Sequence, residues 1–470
     1  MIQTDWRAEL ERHGQSQVLR FWDELDPDRQ RHLQAQIAQI DFGLVERLTQ
    51  EWVLNTPPAR QATSIEPVSV IPIVDPEGPD AREAWEVGEM ALRDGRVGLM
   101  LVAGGQGTRL GFDGPKGTFP IGPVSGRTLF EYHAEKIKNA RKRYGCTLPW
   151  YIVVGETTED ATKAFFHSHD FFGLGEENIT FFKQKMMPCI DDVGKFMLES
   201  KGALAMNPNG HGGCIPAMVD NGIIRDARER GVDTLSYFQV DNWCVKVADP
   251  YFIGYHLLRD GEMSSKVKRK TDPYESSGVF CRCDGKAGVI EYTELDSYPQ
   301  LLECGEDGNF IHFAANAAIH ILSVDFIEQV YGKYDGFPWH CSHKKISYVN
   351  EAGELVQPEE PNGYKFETFV FDALAYAQHE PVMLEIDLLG EFAPTKQMSG
   401  AGSVEEARVS MTQYWRGWLE AAGCTTPLED AQIEVSPEFA FSEDEFVLKA
   451  QGLEWPESGD VVIGPDGSFL

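Results

Sequence analysis

The chain has no apolar run approaching the ~20 residues that span a membrane. Its opening, MIQTDWRAELERHGQ, is charged throughout and has no apolar core, so it does not read as a secretory signal. Cysteine is present but unorganised, with nine residues at unpaired spacings. An odd count without a framework fits reduced thiols. These absences predict a cytoplasmic chain. Cys281 and Cys283 are too close for a usual zinc half-site and no second pair accompanies them, so a strand with both sulfurs on one face is expected. His167 and His169 form a similar short pair and read as surface residues. Basic residues are scarce too: 42 Lys and Arg stand against 74 Asp and Glu, a net charge of −32. That balance argues against a nucleic-acid binder and against adhesion to an anionic membrane. It also makes each cation informative. A polyanionic ligand would have to be met by locally gathered basic groups, a metal ion and backbone N–H groups.

What is present is organised around Val97 to Gly117, VGLMLVAGGQGTRLGFDGPKG. Val97 to Ala103 is apolar and uncharged, the pattern of a strand buried on both faces of a parallel sheet. Glycines at the carboxyl end of such a strand let the backbone approach a ligand and aim N–H groups at phosphate. Arg109 and Lys116 add the positive charge a triphosphate needs. Two common phosphate loops are excluded. A dinucleotide fingerprint from Gly105 would need glycine where Leu110 stands, and a Walker loop would need Gly-Lys-Ser/Thr, whereas Lys116 precedes its glycine. The plain alternative is a strand followed by a flexible turn.

A chain of 470 residues is long enough for about three domains. Apolar residues at three- and four-residue steps (Trp6, Leu10, Val18, Leu19, Phe21, Trp22, Leu25) predict helix over most of residues 1 to 60. Asp26-Pro27 breaks it, and a second helix is expected through Leu33, Ile37 and Ile40. Prolines from Pro57-Pro58 to Pro79 mark an extended linker, followed by a helix from Asp80 to Arg93. Helices are expected over Ser125–Tyr144 and near Glu159 to His167, and strands over Trp150–Val154, Ile179–Phe182 and Leu235–Val240. That alternation implies an α/β layered domain with a mainly parallel sheet. Asp241 follows the last of these strands, where such sheets bind ligands, although a helix cap is the plain reading. Lys266-Val-Lys-Arg-Lys270 is the densest basic cluster. Its alternation suits a strand with a solvated face, outside any site. Ser403 to Ala422 reads as an amphipathic helix, and residues 431 to 470 as a few short β-segments. The division expected is a helical region and linker over 1–95, an α/β domain over 96–395 and a small C-terminal domain over 396–470.

The run LVAGGQGTRLGFDGPKG resembles the signature loop of the eukaryotic-type UDP-sugar pyrophosphorylases, most closely those that make UDP-N-acetylglucosamine. The resemblance covers roughly residues 30 to 400. It implies a nucleotidyltransferase-type, Rossmann-like central domain with a mixed, mainly parallel sheet. It also implies joining of UTP to a hexose 1-phosphate with release of pyrophosphate. By the same resemblance Ala103, Gly104 and Gly105 bind nucleotide, while Arg109 and Lys116 hold the β and γ phosphates. Gln184, in KQKMMP, matches the glutamine that recognises uracil, whose edge an amide can both donate to and accept from. Gly210 matches a glycine that touches the nucleotide. Asp241, in VDN, matches the ligand of Mg²⁺, and Lys396, in EFAPTK, a lysine that binds the sugar phosphate or α-phosphate.

Sugar contacts are implied for His211, Gly278, Glu291, Asn316, Lys365, Phe369 and Phe371. Phe369 and Phe371 alternate with Val370, so on a strand they share a face, beside the acetamide in the family or in a core. His211 departs from the asparagine of the N-acetylglucosamine enzymes and is closer to glucose-type and broad-specificity ones. Ala315 and Ile319 also replace a family glycine and asparagine. Readings from other classes are a non-catalytic sugar-nucleotide-binding regulator, which would have lost the cations or the metal ligand, and a dehydrogenase, which would need the missing glycine.

Overall fold

The computed structural model describes residues 6–55 and 62–470. The Pro57-Pro58 start of the linker lies outside the described residues, as do the first five residues. The chain forms two compact units, each assembled from three stretches. Met1–Ala62, Gln184–Ala217 and Lys333–Asp372 make the smaller; Thr63–Lys183, Met218–Gly332 and Ala373–Leu470 make the larger.

The larger unit is built on a ten-stranded sheet. Its strands are β1 (Ile65–Pro67), β2 (Val97–Val102), β3 (Trp150–Val154), β4 (Ile179–Lys183), β5 (Thr234–Gln239), β6 (Met263–Arg269), β7 (Val279–Cys283), β8 (Lys286–Ile290), β9 (Ala314–Ser323) and β10 (Met383–Glu385). The spatial order is β1-β7-β9-β5-β2-β3-β4, with β6 on β9 and β10, and β8 on β7. The centre, β5-β2-β3-β4, is parallel. Antiparallel pairings of β9 with β5 and β6 extend it. The strands expected from uncharged runs form where those runs lie. Leu99, Leu101 and Ile152 are fully buried, each a gain of about 1.5–3 kcal/mol over exposure.

Connectivity fixes where a ligand can enter. From β2 the chain moves to one side for β3 and β4, then returns to the other side of β2 with β5. At such a reversal the flanking connections diverge and leave a crevice at the carboxyl ends of the two strands. The glycine run follows β2 and Asp241 follows β5.

The helix expected from Ser125 begins at Leu129, because Thr128 and Glu131 close a capping box there. Residues 122–128 instead form a turn held by Glu434, which accepts from Val124 N, Ser125 N, Ser125 Oγ and Arg127. The expected C-terminal helix forms as Val404–Ala421 and buries Trp415 and Trp418 in the same hydrophobic core as the central strands. Ile433–Val435 and Val461–Ile463 form a parallel pair in that same core. Between them Glu443–Lys449 is a helix, capped by Ser442 and carrying three acidic residues in its first turn, which the acidic tail composition concealed. Among the described residues no helix is long and apolar enough to cross a membrane.

The lysine cluster corrects an expectation. Its strand forms, but the face is not solvated: Lys266, Lys268 and Lys270 are 0%, 7% and 2% exposed. Cys281 and Cys283 do share a strand face, with sulfurs 3.5 Å apart, and all nine cysteines are free thiols. His167 and His169 are exposed, as read.

In the smaller unit the first helix stops at Arg12, two residues before Gly14 turns left-handed at φ +64°. Short 3-10 turns then replace the continuous helix expected up to Leu25. Asp26 and Asp41 cap the helices Pro27–Ala38 and Phe42–Thr49. Their apolar faces, together with Leu10 of the first helix, pack Leu33, Ile37 and Leu48 against Met187, Phe196 and Phe366. A three-stranded sheet of His340–Lys344, Gly363–Glu367 and Ile190–Asp191 completes the unit.

Candidate active site

In the larger unit, Ala103 anchors the glycine run by donating its N–H to Val153 O at 2.9 Å. Beyond it the loop folds back on itself, with Gly107 N on Gly114 O at 2.8 Å and Lys116 N on Gly105 O at 3.0 Å. Among the described residues the N–H groups of Gly104 and Gly105 meet no acceptor, which leaves them for a ligand. The turn delivers Lys116 to Asp241, whose Oδ2 accepts from Nζ at 2.8 Å. Two groups from either side of the sheet's reversal thus meet at its edge. Arg109 is exposed on the one-turn helix Thr108–Leu110.

Asp241 also organises the segment that carries Lys396. Its carbonyl accepts from Thr395 N at 2.9 Å. Next to it, Asn242 donates to Glu391 O at 2.8 Å and accepts from Ala393 N at 3.0 Å. Lys396 follows, exposed, with its backbone N–H on Gly402 O. Behind this segment lies a buried ionic cluster. Lys266 pairs with Asp249 at 2.6 Å and with Glu391, which also accepts from Lys246 at 3.1 Å. Burial pushes the Glu391 carboxyl up, but Lys266 and Lys246 outweigh it and hold the group well below its ordinary range. The backbone under Lys396 is therefore braced by a Glu391 carboxylate that stays ionised.

Three residues read as sugar contacts come together in the same unit. Gly278 O accepts from Asn316 N at 2.9 Å, and a side chain at Gly278 would meet Glu291 Oε1 at 2.8 Å. Asn316 Oδ1 accepts from Ala318 N, which holds Ala318 at φ +56°. Glu291 also caps the 3-10 turn Tyr292–Ser297.

In the smaller unit Gln184 sits beside the glycine turn Asn209–Gly213. Its Nε2 donates to Gly210 O at 2.8 Å and to Asn209 Oδ1 at 3.1 Å, so both amide N–H groups are engaged and the oxygen remains. His211 stacks on Phe369 with ring centres 5.1 Å apart, and His340 stacks on the same ring at 4.2 Å. His340 Nε2 meets Asp372 Oδ2 at 2.8 Å. His211 Nδ1 accepts from Val370 N at 3.1 Å, which puts its remaining proton on Nε2. Burial first, then the charge of His340, lowers its pKa to about 4, so the ring is neutral at pH 7. Lys365 lies on the strand Gly363–Glu367, opposite Ser342.

The strand expected for Phe369 and Phe371 ends at Glu367. Thr368 is drawn out of the ladder because its N–H and hydroxyl both donate to Asn209 O. Val370–Tyr376 is a 3-10 turn, and the two phenylalanine rings still touch, at 5.2 Å. Phe371 is core and Phe369 is half-buried. Asn209, Asn242, Thr368 and the His340–Asp372 pair went unread in sequence. Of these, Asn209 in Asn-Pro-Asn-Gly and Asn242 in Asp-Asn carried a local signal, as short amides next to a turn.

No group of three or more His, Cys, Asp or Glu among the described residues could hold a metal ion. A single carboxylate beside a polyphosphate site is nevertheless the donor set Mg²⁺ ordinarily uses, since it keeps several waters and takes oxygens from the phosphates. Asp241 fits that role.

Residues 58–414 match the profile of a family described as UTP--glucose-1-phosphate uridylyltransferase. The chain is 34% identical to the human UDP-N-acetylhexosamine pyrophosphorylase-like protein 1, over 96% of this chain and 95% of that one. It is 34% identical to UDP-N-acetylglucosamine diphosphorylase 2 of Arabidopsis thaliana, over 91% and 88%. A crystal structure of the uridine diphosphate N-acetylglucosamine pyrophosphorylase from Trypanosoma brucei superposes with a TM-score of 0.81 at 23% identity, covering 98% of each chain, a likeness of fold.

Proposed function

Because the chain belongs to the UDP-sugar pyrophosphorylase (UTP–glucose-1-phosphate uridylyltransferase) family, we propose that it transfers the uridylyl group of UTP to N-acetylglucosamine 1-phosphate. A sugar-phosphate oxygen attacks the α-phosphorus in line, and pyrophosphate leaves from the opposite side. No covalent intermediate is needed, so catalysis consists of positioning two polyanions and offsetting their repulsion. The Gly104 and Gly105 N–H groups, Arg109 and Lys116 would hold the β and γ phosphates. Lys396 would take the sugar phosphate or α-phosphate. Asp241 would hold a divalent ion, Mg²⁺ in this reading, whose charge offsets that developing on the phosphates. Gln184 would read the uracil, Gly210 would touch the nucleotide, and Gly278, Glu291, Asn316, Lys365, His211, Phe369 and Phe371 would contact the sugar. Residues 96–395 would carry all of these groups except Lys396, which opens the 396–470 segment, with 1–95 in support. Nine free thiols support a reducing, cytoplasmic setting.

The observation that carries the reading is the Lys116–Asp241 pair, which joins the glycine run and the end of β5 at the sheet's reversal. One anhydride replaces another, so pyrophosphorolysis of the UDP-sugar should be measurable as well. A glucose-type or broad preference is favoured by one feature, His211 in place of asparagine. Pyrophosphate release from UTP and Mg²⁺ with a panel of sugar 1-phosphates tests both. Turnover fastest with the N-acetylglucosamine compound supports the first, parity with glucose 1-phosphate supports the second, and no release with any of them ends the proposal.

A further inference from the structure

Lys266, Lys268 and Lys270 occupy alternate positions on and just after β6, and so lie on one side of the strand. All three are buried, yet their surroundings differ. Lys266 is neutralised by Asp249 and Glu391. Among the described residues Lys268 has one acidic partner, Glu275, which sits on the largely exposed turn 271–277. Its ammonium also lies over the Phe392 ring, 4.9 Å from the centroid, in the segment that leads to Lys396. Among the described residues the Lys270 Nζ has no hydrogen-bond acceptor, although it is shut off from water. Exposed Asp272 acts on it only through space.

Lys396 and Lys270 both act on Lys268 through space, and the carboxylates that face these lysines are Glu275 on Lys268 and Asp272 on Lys270. Burying an ammonium without a matched anion is costly, and the strain is relieved either by loss of its proton or by an anion that a ligand supplies. Burial and then the charges of Lys396 and Lys270 lower the Lys268 pKa to about 8, as expected for a cation crowded by cations.

We propose that Lys268 is a phosphate-binding residue of this enzyme, taking the phosphate of the sugar 1-phosphate together with Lys396, and that Glu275 occupies Lys268 until that phosphate arrives. The proposal rests on the uridylyltransferase reading. The exchange breaks one ion pair and forms another, with no bond made or cut. It gives the sugar substrate cations separate from Arg109 and Lys116, which serve the nucleotide.

Calorimetry of N-acetylglucosamine 1-phosphate binding, together with steady-state kinetics, tests it on wild type, Lys268→Met, Lys268→Arg and Glu275→Gln. Lys268→Met should weaken sugar-phosphate binding and raise its KM about tenfold or more, the order of one lost charge-assisted hydrogen bond, with the KM for UTP within about twofold. Lys268→Arg should recover most of the loss. Glu275→Gln frees Lys268 and should bind the sugar phosphate as tightly as wild type or tighter. Wild-type binding in Lys268→Met, or an equal rise in both KM values, overturns the proposal. If Lys268→Met does not fold, Glu275→Gln decides, and weaker binding there overturns it. A wild-type protein that turns over no sugar 1-phosphate defeats the uridylyltransferase reading instead. Titration of wild type and Glu275→Gln with inorganic phosphate then tests Lys268 alone: binding tighter in the variant supports the anion site, and binding in neither protein rejects it.

Discussion

Two glycine-rich turns carry much of the proposed recognition, and they use glycine for opposite reasons. In the larger unit Gly105 is open: a methyl group placed there would meet nothing within 4 Å. In the smaller unit Gly210 is closed in. It sits at φ +82°, and a side chain there would run into the backbone of Thr368. The first turn leaves space for a ligand to approach the main chain. The second has already spent that closeness on its own protein, bringing Thr368 and Phe369 against the turn. The first is also bordered by charge, Lys116 on Asp241, whereas the second is bordered by a neutral imidazole and aromatic rings. Glycine density alone does not distinguish a cradle from a joint; what occupies the position of the absent Cβ does.

The largest effect should come from the charged turn. Lys116→Ala is expected to lower kcat by about 10²–10³-fold while the melting temperature stays near that of the parent, since the loss is one of transition-state charge. A rate within a few-fold of the parent would put Lys116 outside the chemistry. Gly210→Ala should lose stability, by about 1–3 kcal/mol in urea unfolding, from left-handed strain and the collision with Thr368. An unchanged midpoint would show that the turn relaxes and would undo the contrast. Gly105→Ala should do the reverse, leaving stability within about 0.5 kcal/mol and weakening UTP binding by calorimetry, because the methyl group occupies ligand space. Equal effects of the two alanines on stability would erase the distinction.

A further effect is one of pH. His211 has a pKa near 4 in the folded chain, and buried His256 likewise near 4, against 6.5 for a free imidazole. The folded form binds fewer protons than the unfolded, so this contribution is complete above pH 6.5 and fades as the pH falls toward 4. Thermal midpoints should drop across that window and be flat from 6.5 to 8. Replacing His211 with Asn should make the fall shallower, and a profile unaltered by the replacement would mean that His211 is not held neutral.

The glycine turn after β2 was legible in sequence because its signals are local. An uncharged strand, a glycine run and two cations sit within about twenty residues, in a chain where cations are few. Lys266 was not legible. Alternating charge identifies a strand but not what covers it, and the covering groups, Asp249 and Glu391, are 17 and 125 positions away. Phe369 and Phe371 misled for a related reason. Their two-residue period continues a strand on paper, but Thr368 bonds to Asn209, 159 positions earlier, and turns the chain. The interleaving of three stretches in each unit is likewise set by pairing between distant segments, as when Ile190–Asp191 joins Gly363–Glu367.

The Gln184 amide has a chemical consequence. With its nitrogen tied to Gly210 O and Asn209 Oδ1, the side chain offers only lone pairs. A pyrimidine protonated at N3, as uracil and thymine are, can satisfy them. Cytosine is unprotonated there and would set lone pair against lone pair. If Gln184 meets the base at N3, as proposed, its fixed carbonyl oxygen would favour uridine over cytidine triphosphate without any change in pocket size.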